Sequence, residues 1–341
     1  MTIRATHTTM LAIAAAAAMA LSMPADAQTS DPNAAPNPYG DMNPDWAKLP
    51  GGRKMGAPEG IAIDPDGKSI WIFERCGGMA CNNSTLDPIM KLDPTGNTVA
   101  SFGGGLFNFP HGLDVDREGN VYVTDGRSHN GKGDVMVKFS PTGQALMTLG
   151  KAGMPGSTED RFDMPSDVAV APNGDIYVAD GHGMSFNWVP NDRVVKFSRD
   201  GKFLTTFGKY GKAPGELNTP HNIALDSAGR VFVADRINNR VSIFSADGKF
   251  VAEWKQFGRP SGLFIDKNDV LYVADNQSNA SVNPGFKRGI RIGNAKDGTV
   301  TGFVPMTDEK LGASEMVAVD GQGTMFVGFT LTHAIGRLVR R

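Results

Sequence analysis

Six segments of this chain open alike, and the second residue of each is where chemistry would be sought first. The segments start at Pro58, Pro110, Pro165, Pro220, Pro260 and Ser314, and the residues that follow are Glu59, His111, Ser166, His221, Ser261 and Glu315. His111, His221 and Glu315 come from the second, fourth and sixth segments. Two imidazoles and a carboxylate form a donor set that holds a zinc ion and leaves a coordination position for water or substrate. Nitrogen donors of this kind favour zinc over calcium. Glu59 could take the place of Glu315 or balance the charge of the ring. The competing reading is a wet channel whose histidines bond only to water. His129, His182 and His333 fall in loops, and each taken alone reads as a surface residue. Arg75 and Arg236 end strand-like runs, where a guanidinium can grip a carboxylate with two bonds or pair with a neighbouring acid. Asp125, Asp180, Asp235 and Asp275 recur at one repeat position, which suits turn capping better than catalysis at a single site.

The elements that must carry these residues follow from the repeat. The six starts lie 52, 55, 55, 40 and 54 residues apart. A period of that length made only of strand-like runs predicts propeller blades. Each blade reads as four strands: an alternating run such as Gly112 to Val115, a β-branched and aromatic run such as Val121-Tyr-Val-Thr, a third such as Val241-Ser-Ile-Phe, and a fourth such as Phe203-Leu-Thr-Thr-Phe. Helical periodicity is absent. The expected fold is therefore all-β, a six-bladed β-propeller over residues 45–341. The residue after each opening Pro begins the innermost strand, so His111, His221 and Glu315 should stand about 120° apart around the axis. Long connections at Cys76 to Pro88, Arg127 to Asp134, His182 to Asp192 and Gln277 to Arg288 all fall on the face where those strands open, and long loops in a tight fold are usually functional. The sixth blade runs out after Ala334-Ile-Gly-Arg-Leu-Val, without a fourth strand. An open edge is an aggregation hazard, and Trp46-Ala-Lys-Leu is the segment expected to fill it.

Composition narrows the class. The 341 residues carry a formal net charge of −2 without long charged runs, which argues against a nucleic-acid surface. Arg4, the apolar stretch Leu11 to Met23 and Ala25-Asp26-Ala27 read as a signal peptide over 1–27, and no later segment is apolar and long enough to span a bilayer. Residues 28–44, rich in Pro, Asn and Asp, read as a flexible leader. A periplasmic or secreted monomer acting on a small molecule or peptide is expected. Cys76 and Cys81 are the only two cysteines, and export would allow them to form one loop disulfide.

The units resemble NHL repeats, through the Pro-x-[Gly/Asp/Asn] opening, the Ala-Asp ends at Ala179-Asp180, Ala234-Asp235 and Ala274-Asp275, and the Phe-Ser-x-x-Gly turn. Phe109-Pro-His-Gly-Leu, Met164-Pro-Ser-Asp-Val-Ala-Val, Val178-Ala-Asp-Gly, Thr219-Pro-His-Asn-Ile-Ala-Leu and Val233-Ala-Asp-Arg resemble in particular the peptidyl-α-hydroxyglycine α-amidating lyases. That family is a zinc-dependent propeller which splits a C-terminal hydroxyglycine into peptide amide and glyoxylate. The resemblance implies that His111 and His221 are two of three zinc histidines, and that Arg75 and Arg236 are the active-site arginines. The third zinc histidine falls on Glu315 and the active-site tyrosine on His182, which could act as general base. A carboxylate that helps hold the family's structural calcium falls on Met316. The alternatives are a non-catalytic propeller that binds a protein or glycan on its loop face, and a lactonase or esterase propeller with axial calcium, which would set Asn, Asp and Glu around the axis.

Overall fold

The computed structural model describes residues 31–183, 191–306 and 312–341. Over these residues the chain forms six antiparallel sheets, five of four strands and one of three. Their innermost strands are Pro58–Ile63, Pro110–Val115, Pro165–Val170, Pro220–Leu225, Pro260–Ile265 and Ser314–Val319. Each packs against the next and the last against the first, which closes a six-bladed β-propeller. The helical content among the described residues is one short 3-10 turn, Pro50–Gly52.

Burial explains the strand sequences. Second strands such as Val121–Asp125 and Val231–Asp235 are buried at every position, because neighbouring blades cover both faces. A strand in that place reads as a continuous β-branched and aromatic run. The outermost strand Thr98–Phe102 has a half-open face, and its burial alternates residue by residue. Aromatic side chains fill the wedges between blades, as Trp71, Phe73, Phe107 and Phe139 do between the first and second.

One irregularity recurs in all six blades. Pairing of the first strand with the second slips between Pro58 and Gly60, Pro110 and Leu113, Pro220 and Ile223, Pro260 and Gly262, and Ser314 and Met316. In the third blade Asp180 pairs with Pro165 and Ala179 with Asp167, which skips Ser166. A bulge frees one residue from the ladder and re-aims its side chain. The freed positions are those of Glu59, His111, Ser166, His221, Ser261 and Glu315. The repeat aspartates hold the chain that enters these bulges. Asp125 accepts from the amides of Asn108 and Phe109, Asp180 from Asp163, Asp235 from Asn218 and Asp275 from Arg259. They are structural clamps that tie the incoming segment to the strand end, and Asp235 and Asp275 also cap the turn that follows, taking Asn238 Nδ2 and the amides of Gln277 and Ser278.

The N-terminal segment closes the ring, but upstream of the expected place. Tyr39 and Asn43 pair antiparallel with Arg340 and Arg337, and Asp45 pairs parallel with Ile335. Gly40 N donates to Val339 O at 2.9 Å, and Asn43 and Arg337 exchange two bonds of 2.9 Å each. Trp46 does not supply the strand. Its indole packs on Phe326, with ring centroids 4.9 Å apart, and Lys48 bridges to Asn97 in the first blade. The expectation of a flexible leader through residue 44 is thereby corrected over its C-terminal part: Pro36 O accepts from Phe303 N, and Tyr39 is 1% exposed. The shift has a simple cause, since the last strand needs backbone partners and Tyr39 supplies the apolar mass next to them. The segment 1–27, expected as a signal peptide, lies outside the described residues.

Candidate functional site

The bulges, the second-strand ends and one long connection deliver three histidines to the axis. His111 and His221 open the innermost strands of blades two and four and are each 1% exposed. His182 arrives differently, from the connection after Asp180. Gly181 there has φ 137°, and a Cβ on it would lie 2.5 Å from Asp192 N, so only glycine lets the backbone turn this tightly. His182 N donates to Met164 O at 2.9 Å, which fixes the turn. The ligand atoms of His111, His182 and His221 all lie within 4.8 Å of one another. Their ring centroids are 4.4, 4.9 and 4.8 Å apart.

The protonation of these rings follows from their partners. His111 Nδ1 lies 2.6 Å from Ser166 O, and His221 Nδ1 lies 3.0 Å from Ser261 O. A carbonyl can only accept, so each Nδ1 carries a hydrogen, and in the neutral ring each Nε2 keeps a lone pair. Burial holds the pKa of His111 and His182 well below the ordinary value; His221 and Arg75 push both the same way, and Glu315 opposes them at His111. His221 is lowered by burial and then by the Arg236 charge. Burial thus favours the neutral form of the rings, Glu315 opposes it at His221, and His182 Nδ1 and His221 Nε2 are buried without a hydrogen-bond partner.

Carboxylates flank the cluster. Glu315 Oε1 lies 3.0 Å from His221 Nε2. A neutral His221 would set two electron pairs face to face across that gap, so the contact is relieved by a hydrogen on Nε2 donated to Glu315 or by a cation beside the two groups. Glu315 also takes Arg236 Nη1 at 3.3 Å, Ser261 Oγ at 3.5 Å and the side-chain amide of Asn276. Burial alone would raise its pKa, but His221 and the Arg236 charge hold it down. Glu59 shows the opposite balance. Burial raises it, and the attraction of Arg75, at 2.9 Å, only partly offsets this. Glu59 Oε2 is 3.9 Å from His111 Nε2. Ionised Glu315 and Glu59 would offset the two guanidiniums, and burial works against the ionised form at Glu59.

The six residues expected to form the site, Arg75, His111, His182, His221, Arg236 and Glu315, are thus brought together, but three stand in other relations than expected. His182 stands among the imidazoles rather than apart from them as a base. Glu315 lies beside His221, with its oxygens engaged by Arg236, Asn276 and Ser261. Arg75 is buried, its Nε on Pro110 O at 3.1 Å, its Nη1 on Glu59 and its plane 3.5 Å over Phe109, so its fork is largely committed within the protein. His129 and His333 stay out of the cluster, and His333 lies against Met79. Met316 sits where the resemblance puts a calcium carboxylate. Its thioether offers a hard cation no oxygen, and the buried carboxyl at that repeat position is Asp167. Asn276 was missed. The signal was its place directly after a repeat aspartate, the position that Arg236 holds in the preceding blade.

The fold defines the class, a six-bladed β-propeller, and the NHL repeat family matches residues 107–131, 162–185 and 217–244, which lie in blades two to four. Among relatives, the chain is similar to mouse peptidyl-glycine alpha-amidating monooxygenase, 38% identical over 161 residues that cover 45% of this chain and 15% of that protein. It is also similar to the probable peptidyl-alpha-hydroxyglycine alpha-amidating lyase pgal-1 of Caenorhabditis elegans, 32% identical over 206 residues, covering 54% of this chain and 55% of that one. The chain spans well under two thirds of the length of these relatives. A solved gluconolactonase structure from Xanthomonas campestris superposes with a TM-score of 0.60 at 16% identity, covering 89% of this chain and 99% of that one, a likeness of fold alone.

Proposed function

We propose that this protein is a lyase of the peptidyl-α-hydroxyglycine type, which converts an N-acyl-α-hydroxyglycine into an amide and glyoxylate, and that it uses a zinc ion. The observation that carries the reading is the convergence of three buried or half-buried imidazoles at the axis, in a chain whose relatives include proteins named as amidating lyases. His111, His182 and His221 would hold the ion, and Glu315 would orient His221 and help balance its charge. Bound there, zinc supplies Lewis acidity towards the substrate hydroxyl. The chain's own groups do the rest. Glu59, whose carboxyl burial lifts above the ordinary range, takes the hydroxyl proton and returns it to the leaving amide nitrogen as the C–N bond breaks. Arg75 holds Glu59 in place, and Arg236 steadies Glu315. Buried walls keep bulk water from the reacting carbon.

Met316 brings no hard ligand to a calcium ion at the axis, so such an ion would rest on the buried Asp167 carboxyl instead. The sequence of residues 1–27 and the Cys76–Cys81 disulfide both support export to an oxidising compartment. Among the described residues no helix is long and apolar enough to cross a membrane. The test is metal content and hydroxyglycine-peptide cleavage on one preparation. Stoichiometric zinc with glyoxylate release supports the reading. Failure to bind added zinc overturns it in favour of a propeller that binds a partner on its loop face.

A further inference from the structure

On the face that carries the histidines, a cleft of about 590 Å³ opens between the connections of blades five and six. Its inner end is formed by Glu315 and Asn276, and Arg259 and Arg288 also line it. Among the described residues Glu315 is the one acid in its lining, and His221, Arg236 and Asn276 already engage its oxygens. Arg259 precedes Pro260. Its Nε donates to Gln277 Oε1 at 2.8 Å and its Nη1 to Asn239 Oδ1 at 3.0 Å. Both partners are neutral amides, which orient the guanidinium without neutralising it. An oriented guanidinium, Arg259, and a second cation, Arg288, neither of them in an ion pair among the described residues, favour a carboxylate in this polar cleft.

Asn276 supplies an independent observation. It is 5% exposed. Its Nδ2 donates to Glu315, which settles the orientation of the amide, since a carboxylate cannot face Oδ1. That leaves Oδ1 buried with no hydrogen-bond partner. A buried acceptor without a donor is costly, and the N–H of a bound molecule would satisfy it. An N–H and a carboxylate a few bonds apart describe an acidic amino-acid residue.

We propose that this cleft is the subsite for the acyl side of the substrate and that it selects an acidic residue there. Asn276 Oδ1 accepts a peptide N–H, while Arg259 and Arg288 hold the side-chain carboxylate. That the bound molecule is a substrate rests on the lyase reading; the recognition itself does not.

The probes are N-acetyl-glutamic acid α-amide and its neutral counterpart N-acetyl-glutamine α-amide, titrated calorimetrically into the mature protein. The acidic probe should bind at least about tenfold more tightly at low salt, the scale of a charge-assisted contact, and the preference should shrink as ionic strength rises. R259M/R288M should abolish the preference, whereas Asn276→Leu should weaken both probes alike. Arg127→Met, which removes another cation of the same face, should leave the preference intact. If the double variant melts early, Arg288→Gln alone should still reduce the preference. Equal binding of the two probes to the wild type, or a preference that survives in R259M/R288M, overturns the subsite. Hydroxyglycine peptides with Glu or Gln before the hydroxyglycine separate the two claims. If neither peptide is cleaved while the probe preference holds, the lyase reading falls and the subsite stands. If both are cleaved equally and the probes bind equally, the subsite falls and the lyase reading stands.

Discussion

His182→Ala and Glu315→Ala should weaken zinc binding by different amounts, and the order of the two decides how the site is built. His182 is one of three imidazoles whose ligand atoms lie within 4.8 Å of one another. Its loss leaves two protein nitrogens, which hold a divalent ion poorly. Glu315 lies 3.0 Å from His221 Nε2, and its oxygens are engaged by Arg236, Ser261 and Asn276, so it acts on the ion through its neighbour and its charge. Removing an outer partner of this kind typically costs ~10–100-fold in affinity, about 1.4–2.7 kcal/mol. The expected order is therefore a loss of roughly one to two decades for Glu315→Ala and a larger loss, beyond about a hundredfold, for His182→Ala. The assay is titration of metal-stripped protein with zinc against a chromophoric chelator, checked by metal content after dialysis. If His182→Ala stays within about tenfold of the wild type, or if Glu315→Ala loses more than His182→Ala, the three-imidazole centre is wrong. The set His111, His221 and Glu315 would then be right after all.

Other consequences can be checked separately. Trp46→Ala, which empties a buried indole site against Phe326, should cost about 3–5 kcal/mol in denaturant unfolding; deleting residues up to Asp45 should lower the melting temperature further by exposing the last strand. Replacing both Cys76 and Cys81 by Ser opens a loop with a sequence separation of 5, and should cost about 2 kcal/mol without abolishing the fold. In metal-free protein, the depressed His111, His182 and His221 stay neutral while their unfolded counterparts take up protons below about pH 6.5, so stability should fall as the pH drops through that value. The buried carboxyls of Asp114, Asp125 and Asp134, pushed up to about 6 by burial, act with the opposite sign: their contribution is present at low pH and is lost as the pH rises through 6. Melting curves of wild type and His182→Gln between pH 5 and 8 separate the two, since the variant should lose part of the histidine-driven fall and none of the carboxyl term.

The blade architecture could be read from the chain because its causes are local and repeated. A β-branched run covered on both sides, a Gly turn and a Pro-led opening recur six times, and each repeat makes the same contacts with its neighbours. That periodicity also located His111, His221, Glu315 and Glu59, since a shared repeat position means a shared place around the axis. It could not locate His182, because that residue sits in a connection outside the repeat, and its approach depends on the backbone turn at Gly181. Nor could it say that Arg75 is committed to Glu59, or that Glu315 is held by Arg236 from blade four and Asn276 from blade five. The closing strand shows the same division. The missing fourth strand of blade six was visible as an absence, but which residues pair there depends on where the chain runs once the ring exists, and Tyr39 to Asp45 take the place expected for Trp46. Sequence by itself thus determined the fold, the face and the ring of candidate ligands, through short-range patterns repeated at a regular interval. Tertiary structure alone decided which ring members meet, in what tautomer and with which charges already paired, because those are contacts between blades brought together across long stretches of chain, and no local pattern encodes them.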